Sequence, residues 1–323
     1  MNEAKIKWGV LGYARIAKLS VIPAILKASN SEFYAIASRD EEKLKECQQQ
    51  FGCPKAYKNY DELLDDPEIQ AVYIPLPNAM HKEWTVKAAR KGKHILCEKP
   101  IGLNTEEAME MIKACKENNV KLMEAFMYRY TDRTKKVREL LDSGVIGEVK
   151  YINACFRFFL NRPNTIKMKP ELGGGALYDV GCYPINFAGM VMHSAPISMS
   201  AEYVMQDGVD VLASAILKYE NGTICNINCG FNAFTRIYAE VVGTKGVLEI
   251  PDTFLDNGGT ITVITEDGKK EVEVKECDRY LLEVEDFADA IINDRPPFFS
   301  LEETVRNMKI LEQLIKLRDK EKI

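Results

Sequence analysis

Histidine is scarce in this chain, at three in 323 residues, and none of the nine cysteines forms a C-x-x-C pair. His81, His94 and His193 are not spaced to complete a tetrahedral shell with those thiols, so no metal site is expected. An odd, scattered set of cysteines also argues against a disulfide framework and for reduced thiols in a cytoplasmic protein. Cys225 and Cys229, on one side of the strand-like ICNINCG, read as small apolar core residues. No apolar run approaches the roughly 20 residues that span a bilayer. The opening MNEAKIKWGVLG lacks the apolar region and small-residue cleavage site of a signal peptide, and no membrane partner is expected. Blocks of one charge are missing too: 43 basic and 48 acidic side chains are interspersed to a net charge of −5. That leaves no row of cations to neutralise phosphates, and nucleic acid is not an expected partner. The sequence also has no internal repeat, no low-complexity segment and no Pro/Gly/Ser-rich linker.

What is present is ample apolar material, 46% of residues, in a chain longer than one hydrophobic core usually supports. Two domains follow, expected over 1–125 and 126–323 and abutting directly with a cleft between them. The first alternates strand-like IKWGVLG, FYAIAS, AVYIPLP, HILCEK and VKLMEAF with helical periodicity over 15–28, 41–51, 61–64, 81–91 and 105–117. That alternation predicts an α/β domain, a parallel sheet covered by helices. Asn104 with Glu107 forms a capping-box variant, Asn78 reads as the cap of the helix over 81–91, and Gly92 stops that helix. From about residue 145, alternating strands separated by the turn signals QDG, NG and EDG predict an α+β domain with a large, mainly antiparallel open sheet. One helix follows Gly173–Gly175 and two close the chain, the last capped by Ser300 with Glu303.

The first strand runs into Gly12-Tyr13-Ala14-Arg15-Ile16-Ala17, a relaxed form of the pyrophosphate loop of a Rossmann domain. Small residues are needed because the backbone must turn tightly, approach the phosphates and aim the helix N-terminus at their charge. Gly12 supplies the turn, while the Ala14 methyl group, where a second glycine usually stands, pushes the diphosphate slightly outward. At the end of the second strand, where an NAD enzyme offers a carboxylate to the ribose, this chain has Ser38-Arg39. A guanidinium welcomes a 2′-phosphate, so NADP(H) is favoured, while Asp40 and Glu41 nearby leave NAD(H) open. Pro75, Leu76 and Asn78 leave the carboxyl edge of the sheet and are expected to border the cofactor. His81 reads either as a residue on the cofactor's ribose side or as a satisfied histidine in a first helical turn. Glu98 reads as a nicotinamide-side contact or as a strand end.

Cys97-Glu98-Lys99-Pro100 closes another strand at the edge where parallel sheets bind ligands. Together with PLPNAMH at 75–81, MEAFMYRY at 123–130, GGGALYDVGCYPIN at 173–186 and EVEDFADAI near the C-terminus, it resembles the Gfo/Idh/MocA oxidoreductases. The likeness is strongest to the branch of glucose-fructose oxidoreductase, dimeric dihydrodiol dehydrogenase and NADP-linked xylose dehydrogenase, in which tyrosine stands where others have histidine. Thr131-Asp132 departs from the His-Pro common in that branch, which leaves the start of the following helix open.

The resemblance implies hydride transfer between a nicotinamide cofactor and a hydroxyl or carbonyl of a sugar-like molecule, an aldose or related polyol. Lys99 and Tyr183 would be the catalytic pair and Asp179, one helical turn before the tyrosine, a partner in substrate orientation. The chemistry agrees: a hydride leaves carbon only as the hydroxyl proton is removed, and a free phenol, with a pKa near about 10, is a poor base at neutral pH. Roughly 4 kcal/mol of preference for the phenolate corrects this, and an ammonium group within hydrogen-bonding distance together with the positive nicotinamide ring of the oxidised cofactor can provide it. Phe156, Arg157, Phe158, Asn161, Arg162 and Asn186 are candidate pocket-wall residues, with most phenylalanines expected in the core. A trans-dihydrodiol substrate and a catalytically silent, nucleotide- or sugar-sensing regulator are the alternative readings. Pairing of sheet faces, as in that family, implies a homodimer or higher homo-oligomer.

Overall fold

The computed structural model describes residues 5–162 and 165–320. The chain forms two compact units: the first holds the residues up to Met127 together with Asp278–Thr304, the second Tyr128–Cys277 together with the chain from Val305.

In the first unit β1 (Ile6–Leu11), β2 (Ser31–Ala37), β3 (Lys55–Tyr57), β4 (Ala71–Ile74), β5 (His94–Glu98) and β6 (Leu122–Ala125) form a parallel sheet in the order β3-β2-β1-β4-β5-β6. Apart from the short edge strand β3, its strands are largely buried, β4 and β6 along their whole length, as expected of a sheet covered on both faces. The helices are α1 (Ile22–Lys27), α2 (Glu41–Phe51), α3 (Tyr60–Asp65), α4 (His81–Arg90) and α5 (Thr105–Glu117). Asp40 caps α2 by accepting the N–H groups of Glu42 and Lys43, and Asn104 caps α5 by accepting that of Glu107. The Glu107 carboxylate reaches back to the N–H of Leu103.

Three local features depart from the sequence reading. The helix expected over 15–28 is interrupted by a π-helical turn over Ala17–Val21, and α1 starts beside Pro23. Proline has no N–H to give and its ring crowds the carbonyl four residues back, which disrupts the regular ladder there. A 3-10 turn over Asn78–Met80 precedes α4, so Met80 and not Asn78 occupies the cap position. The short edge strand β3 pairs with β2 over three residues, too few to show a period in sequence.

In the second unit α6 (Asp132–Asp142) begins at Thr131, whose hydroxyl accepts the N–H of Thr134, so the Thr-Asp departure still supplies a working cap. Eight strands follow: β7 (Val149–Phe159), β8 (Ser198–Gln206), β9 (Val209–Lys218), β10 (Ile224–Gly230), β11 (Asn232–Gly243), β12 (Gly246–Pro251), β13 (Gly259–Thr265) and β14 (Gly268–Val274). Their order is β14-β13-β12-β11-β7-β10-β9-β8, antiparallel except for the parallel pair β7/β10. Helix α7 (Cys182–Met192) packs against β7 and β10. The other sheet face alternates outward, with Ser200, Glu202 and Val204 of β8 beside Ser214 and Ile216 of β9. The chain closes with α8 (Arg279–Ile292) and α9 (Leu301–Lys320). Within the first unit α8 lies against α1, β1 and β2, where Phe287 meets Trp8 with ring centroids 5.8 Å apart. All nine cysteines are unpaired and eight are buried, and the described residues contain no cluster suited to a metal. Among the described residues no helix is long and apolar enough to cross a membrane.

Candidate active site

The strand order reverses between β1 and β4, and ligands of such sheets bind outside the carboxyl ends of the strands at that switch point. Gly12, the first residue after β1, donates its N–H to the carbonyl of Ala37 and adopts φ +103°. A Cβ at this position would lie 3.1 Å from Leu76 Cδ2 and 3.5 Å from the Tyr60 hydroxyl. The glycine is thus required twice, by its backbone angle and by the close approach of the loop after β4. Such a cradle, with no side chain at its floor and a helix starting beside it, fits a dinucleotide pyrophosphate. Ala14 and Ile16 are half-buried in this loop and Arg15 is exposed. The Tyr13 side chain turns away to α2, donating to Gln50 Oε1 over 3.1 Å and meeting Phe51 edge-on, so that only its main chain serves the loop.

At the end of β2, Ser38 Oγ accepts the N–H of Asp40, and Arg39 is exposed. The neighbouring carboxylates are committed elsewhere. Asp40 caps α2, and Glu41 accepts from Lys58 over 2.6 Å, which holds its carboxyl below the usual range. Tyr60 is a residue the sequence reading missed: its hydroxyl stands over Gly12, and burial pushes its phenol up while the nearby Arg39 guanidinium opposes that shift. One side chain thereby links the turn of the loop with the residue at the end of β2.

Around the loop after β4, Pro75 and Leu76 are buried and Asn78 is half-buried. His81 is 0% exposed, with Nε2 2.8 Å from the Leu76 carbonyl oxygen and Nδ1 2.9 Å from that of Pro100. Both ring nitrogens are thus taken by main chain, and neither is left for a ribose hydroxyl. Glu98, at the end of β5, accepts from the Tyr73 hydroxyl over 2.6 Å. Lys99 follows it directly and is half-buried. Two further carboxyls unnoticed in sequence lie in this unit. Burial pushes Glu283 of α8 well above the usual range, with Glu98 adding to the shift, and pushes Glu124 of β6 up to about 8.

In the second unit the residues implied by resemblance sit on one continuous segment. Gly175 adopts φ +117°, and a Cβ there would fall 2.4 Å from Asp210 Oδ1. Asp210, wholly buried, accepts the N–H of Leu177 over 2.7 Å and pairs with Arg318 over 2.7 Å, anchoring the segment's start. A π-helical turn over Leu177–Gly181 carries Asp179 and leads straight into α7 with Tyr183 and Asn186. Such turns concentrate at functional sites. Asp179 pairs with Lys167, whose amine lies 5.5 and 5.8 Å from the ring centroids of Phe158 and Phe231. Lys167 was invisible in sequence because that pairing spans an irregular loop.

Tyr183 is 3% exposed, its ring grouped with Phe156, Phe254 and Tyr128 at centroid distances of 5.2, 5.4 and 5.9 Å. Phe156 stacks on Phe254 and belongs to this aromatic cluster. Asn186 Oδ1 accepts from the Tyr128 hydroxyl and from Arg129, while its buried Nδ2 has no hydrogen-bond partner among the described residues. Exposed Arg162 instead lines a cavity of about 740 Å³ with Asn161, Thr165, Lys169, Gln206 and Asp207, and neither Tyr183 nor Asn186 is among its walls.

Comparison with known proteins agrees along most of the chain. The model of the oxidoreductase family with an NAD-binding Rossmann fold matches residues 6–126, and that of the Gfo/Idh/MocA C-terminal domain matches 134–249. D-xylose 1-dehydrogenase (NADP(+)) 2 of Haloferax volcanii is 36% identical over 312 residues, 95% of each chain. Trans-1,2-dihydrobenzene-1,2-diol dehydrogenase of Xenopus tropicalis is 36% identical over 76% of this chain and 75% of its own. A 3-ketoreductase from Actinomadura kijaniata, solved with NADP and TDP-benzene, superposes with a TM-score of 0.88 at 29% identity, covering 95% of this chain and 96% of that one. With both halves of the architecture matched, this chain belongs to the Gfo/Idh/MocA family and is an oxidoreductase.

Proposed function

We propose that the protein transfers a hydride between NADP(H) and the hydroxyl or carbonyl carbon of an aldose or related polyol, with Lys99 and Tyr183 as its catalytic residues. The observation that supports this most is the setting of Lys99: it directly follows β5, in the sheet whose switch point brings Gly12 and Leu76 into contact. When bound, the nicotinamide supplies or takes up the hydride. Tyr183 accepts the hydroxyl proton in oxidation and returns it in reduction, and the Lys99 ammonium polarises the substrate oxygen. Asp179, paired with Lys167, offers an acceptor and a neighbouring donor to sugar hydroxyls. A buried amide N–H without an acceptor costs about 1–3 kcal/mol, so Asn186 Nδ2, which has none among the described residues, is suited to a substrate oxygen. The test is absorbance of the reduced nicotinamide with a panel of aldoses, polyols and trans-dihydrodiols and both nucleotides. Tight nucleotide binding without turnover of any of them would point to a sensor instead.

NADP is preferred over NAD in this reading because Arg39 is exposed where a 2′-phosphate would lie and the two adjacent carboxylates are occupied. Hydrogen bonds to charged groups contribute about 1.5–3 kcal/mol. Arg39→Ala is therefore expected to weaken NADP roughly 10- to 100-fold while changing NAD by less than about 2-fold. Fluorescence titration with both nucleotides measures it, and equal losses would remove the phosphate assignment.

The unpaired cysteines support a reducing, cytoplasmic setting. Exposed Val204 and Ile216 on the open sheet face support self-association into a homodimer or larger homo-oligomer, which sedimentation can measure.

A further inference from the structure

The peptide that joins Pro100 to Ile101, immediately after Lys99, is held from both sides by buried side chains of the first unit. His81 of α4 approaches its carbonyl oxygen with Nδ1 at 2.9 Å, and its N–H donates to Glu124 Oε1 over 2.9 Å. Glu124, in the middle of β6, is 2% exposed and His81 is wholly buried. Through its other ring nitrogen His81 also meets the Leu76 carbonyl, so the loops leaving β4 and β5 share one imidazole.

Both side chains are costly choices for such places. A neutral imidazole has one N–H for two carbonyls, and burial, with Lys99 adding to it, pushes the ring's pKa down. Burial likewise keeps the Glu124 carboxyl proton on to about pH 8, against the opposing pull of the Thr304 hydroxyl, the Ile101 N–H and Lys99. Apolar residues of similar volume would fill the same space at less cost. What these two have in common is a single peptide unit, one residue beyond the reacting amine.

We propose that Glu124 and His81 are positioning residues: by gripping the N–H and the carbonyl of the Pro100–Ile101 peptide they fix the main chain that aims the Lys99 ammonium. The inference rests on the reading of Lys99 as a reacting group, and acts through it. Displacing a catalytic group by about 1 Å costs on the order of 100-fold in rate, which sets the size of the effect.

Two substitutions in the full-length protein separate position from charge. Glu124→Gln keeps an acceptor for the Ile101 N–H and is isosteric with the protonated acid; Glu124→Asp keeps the acid and withdraws the acceptor by one methylene. Each is measured for kcat and KM on the best substrate of the screen, for NADP affinity, and for the rate and pH profile of Lys99 acetylation read by mass spectrometry of its peptide. The expected result is a Gln variant close to wild type. The Asp variant is expected to lose roughly 10- to 100-fold in kcat, with unchanged NADP affinity and an altered Lys99 labelling profile. His81→Phe, which keeps the ring volume and removes both nitrogens, is expected to share the kcat loss and the altered Lys99 labelling of the Asp variant. Gln impaired and Asp normal, equal loss in both, or Lys99 labelling unmoved in the Asp variant would each overturn the proposal. The labelling arm needs no substrate. It therefore reports on the grip even if no sugar is turned over, and in that outcome the reading of the reaction fails separately.

Discussion

Tyr183→Phe and Lys99→Ala are each expected to lower turnover about 10²- to 10⁴-fold, the range that a positioned proton-transfer group contributes, while leaving NADP affinity within a few-fold. The phenylalanine variant removes one oxygen from a ring that Phe156, Phe254 and Tyr128 pack on several sides, so the ring stays in place and only the proton carrier is lost. The two losses should not add: when two groups serve one proton transfer, the double variant falls little further than the worse single one. Steady-state kinetics with the best substrate of the screen, beside fluorescence titration of the nucleotide, measures both. Wild-type turnover in either single variant would take these residues out of the chemistry.

Arg318→Ala is expected to destabilise the second unit by about 3–5 kcal/mol, the usual consequence of stripping one partner from a buried ion pair, and to lower Tm by on the order of 10 °C. Asp210, 0% exposed, would keep the Leu177 N–H but lose its cation. Burial already raises the Asp210 pKa, opposed by Leu177 and Arg318, and removing the arginine raises it further. A carboxyl whose folded pKa lies above its unfolded value binds its proton more tightly when folded. Its stability contribution is then present below the unfolded pKa and is lost as pH rises through the folded one. The deficit of Arg318→Ala should therefore be largest at neutral pH and above, and shrink as pH falls through the raised folded pKa, where Asp210 takes up its proton. Urea unfolding across that range tests it, and a deficit independent of pH would mean that Asp210 is not the group responsible. Because Asp210 also anchors Leu177 and closes on Gly175, the same change should loosen the segment leading to Tyr183.

Local physics made much of the fold legible. Helices α2 and α5 stand where periodicity places them, and Asn104 caps α5 as its spacing to Glu107 predicts, because a cap and an amphipathic face act within a few residues of one another; the Asp40 cap of α2 was not read from the sequence. The turns at Asp207-Gly208, Asn221-Gly222 and Glu266-Asp267 likewise follow from residues that tolerate a left-handed or tight backbone. The reading of 15–28 as one helix missed the π-helical turn, since periodicity alone does not count hydrogen bonds around a proline. Of the candidate site, Gly12 and Lys99 were legible as residues at strand ends, whereas Tyr60, Glu124 and Lys167 were not. Their meaning lies in partners brought close by the fold: Gly12 and Arg39 for Tyr60, the peptide after Lys99 for Glu124, and Asp179 for Lys167.

By itself the sequence determined a parallel α/β half, a mainly antiparallel half and the oxidoreductase family, because strand alternation, caps and short motifs are set by neighbours along the chain. Only the tertiary structure decided that His81 and Glu124 face one peptide, that Asp210 holds Arg318, and that Asp278–Thr304 returns to the first unit. Those contacts join residues far apart in the chain, and their partners are fixed by burial and packing, which leave no period to read.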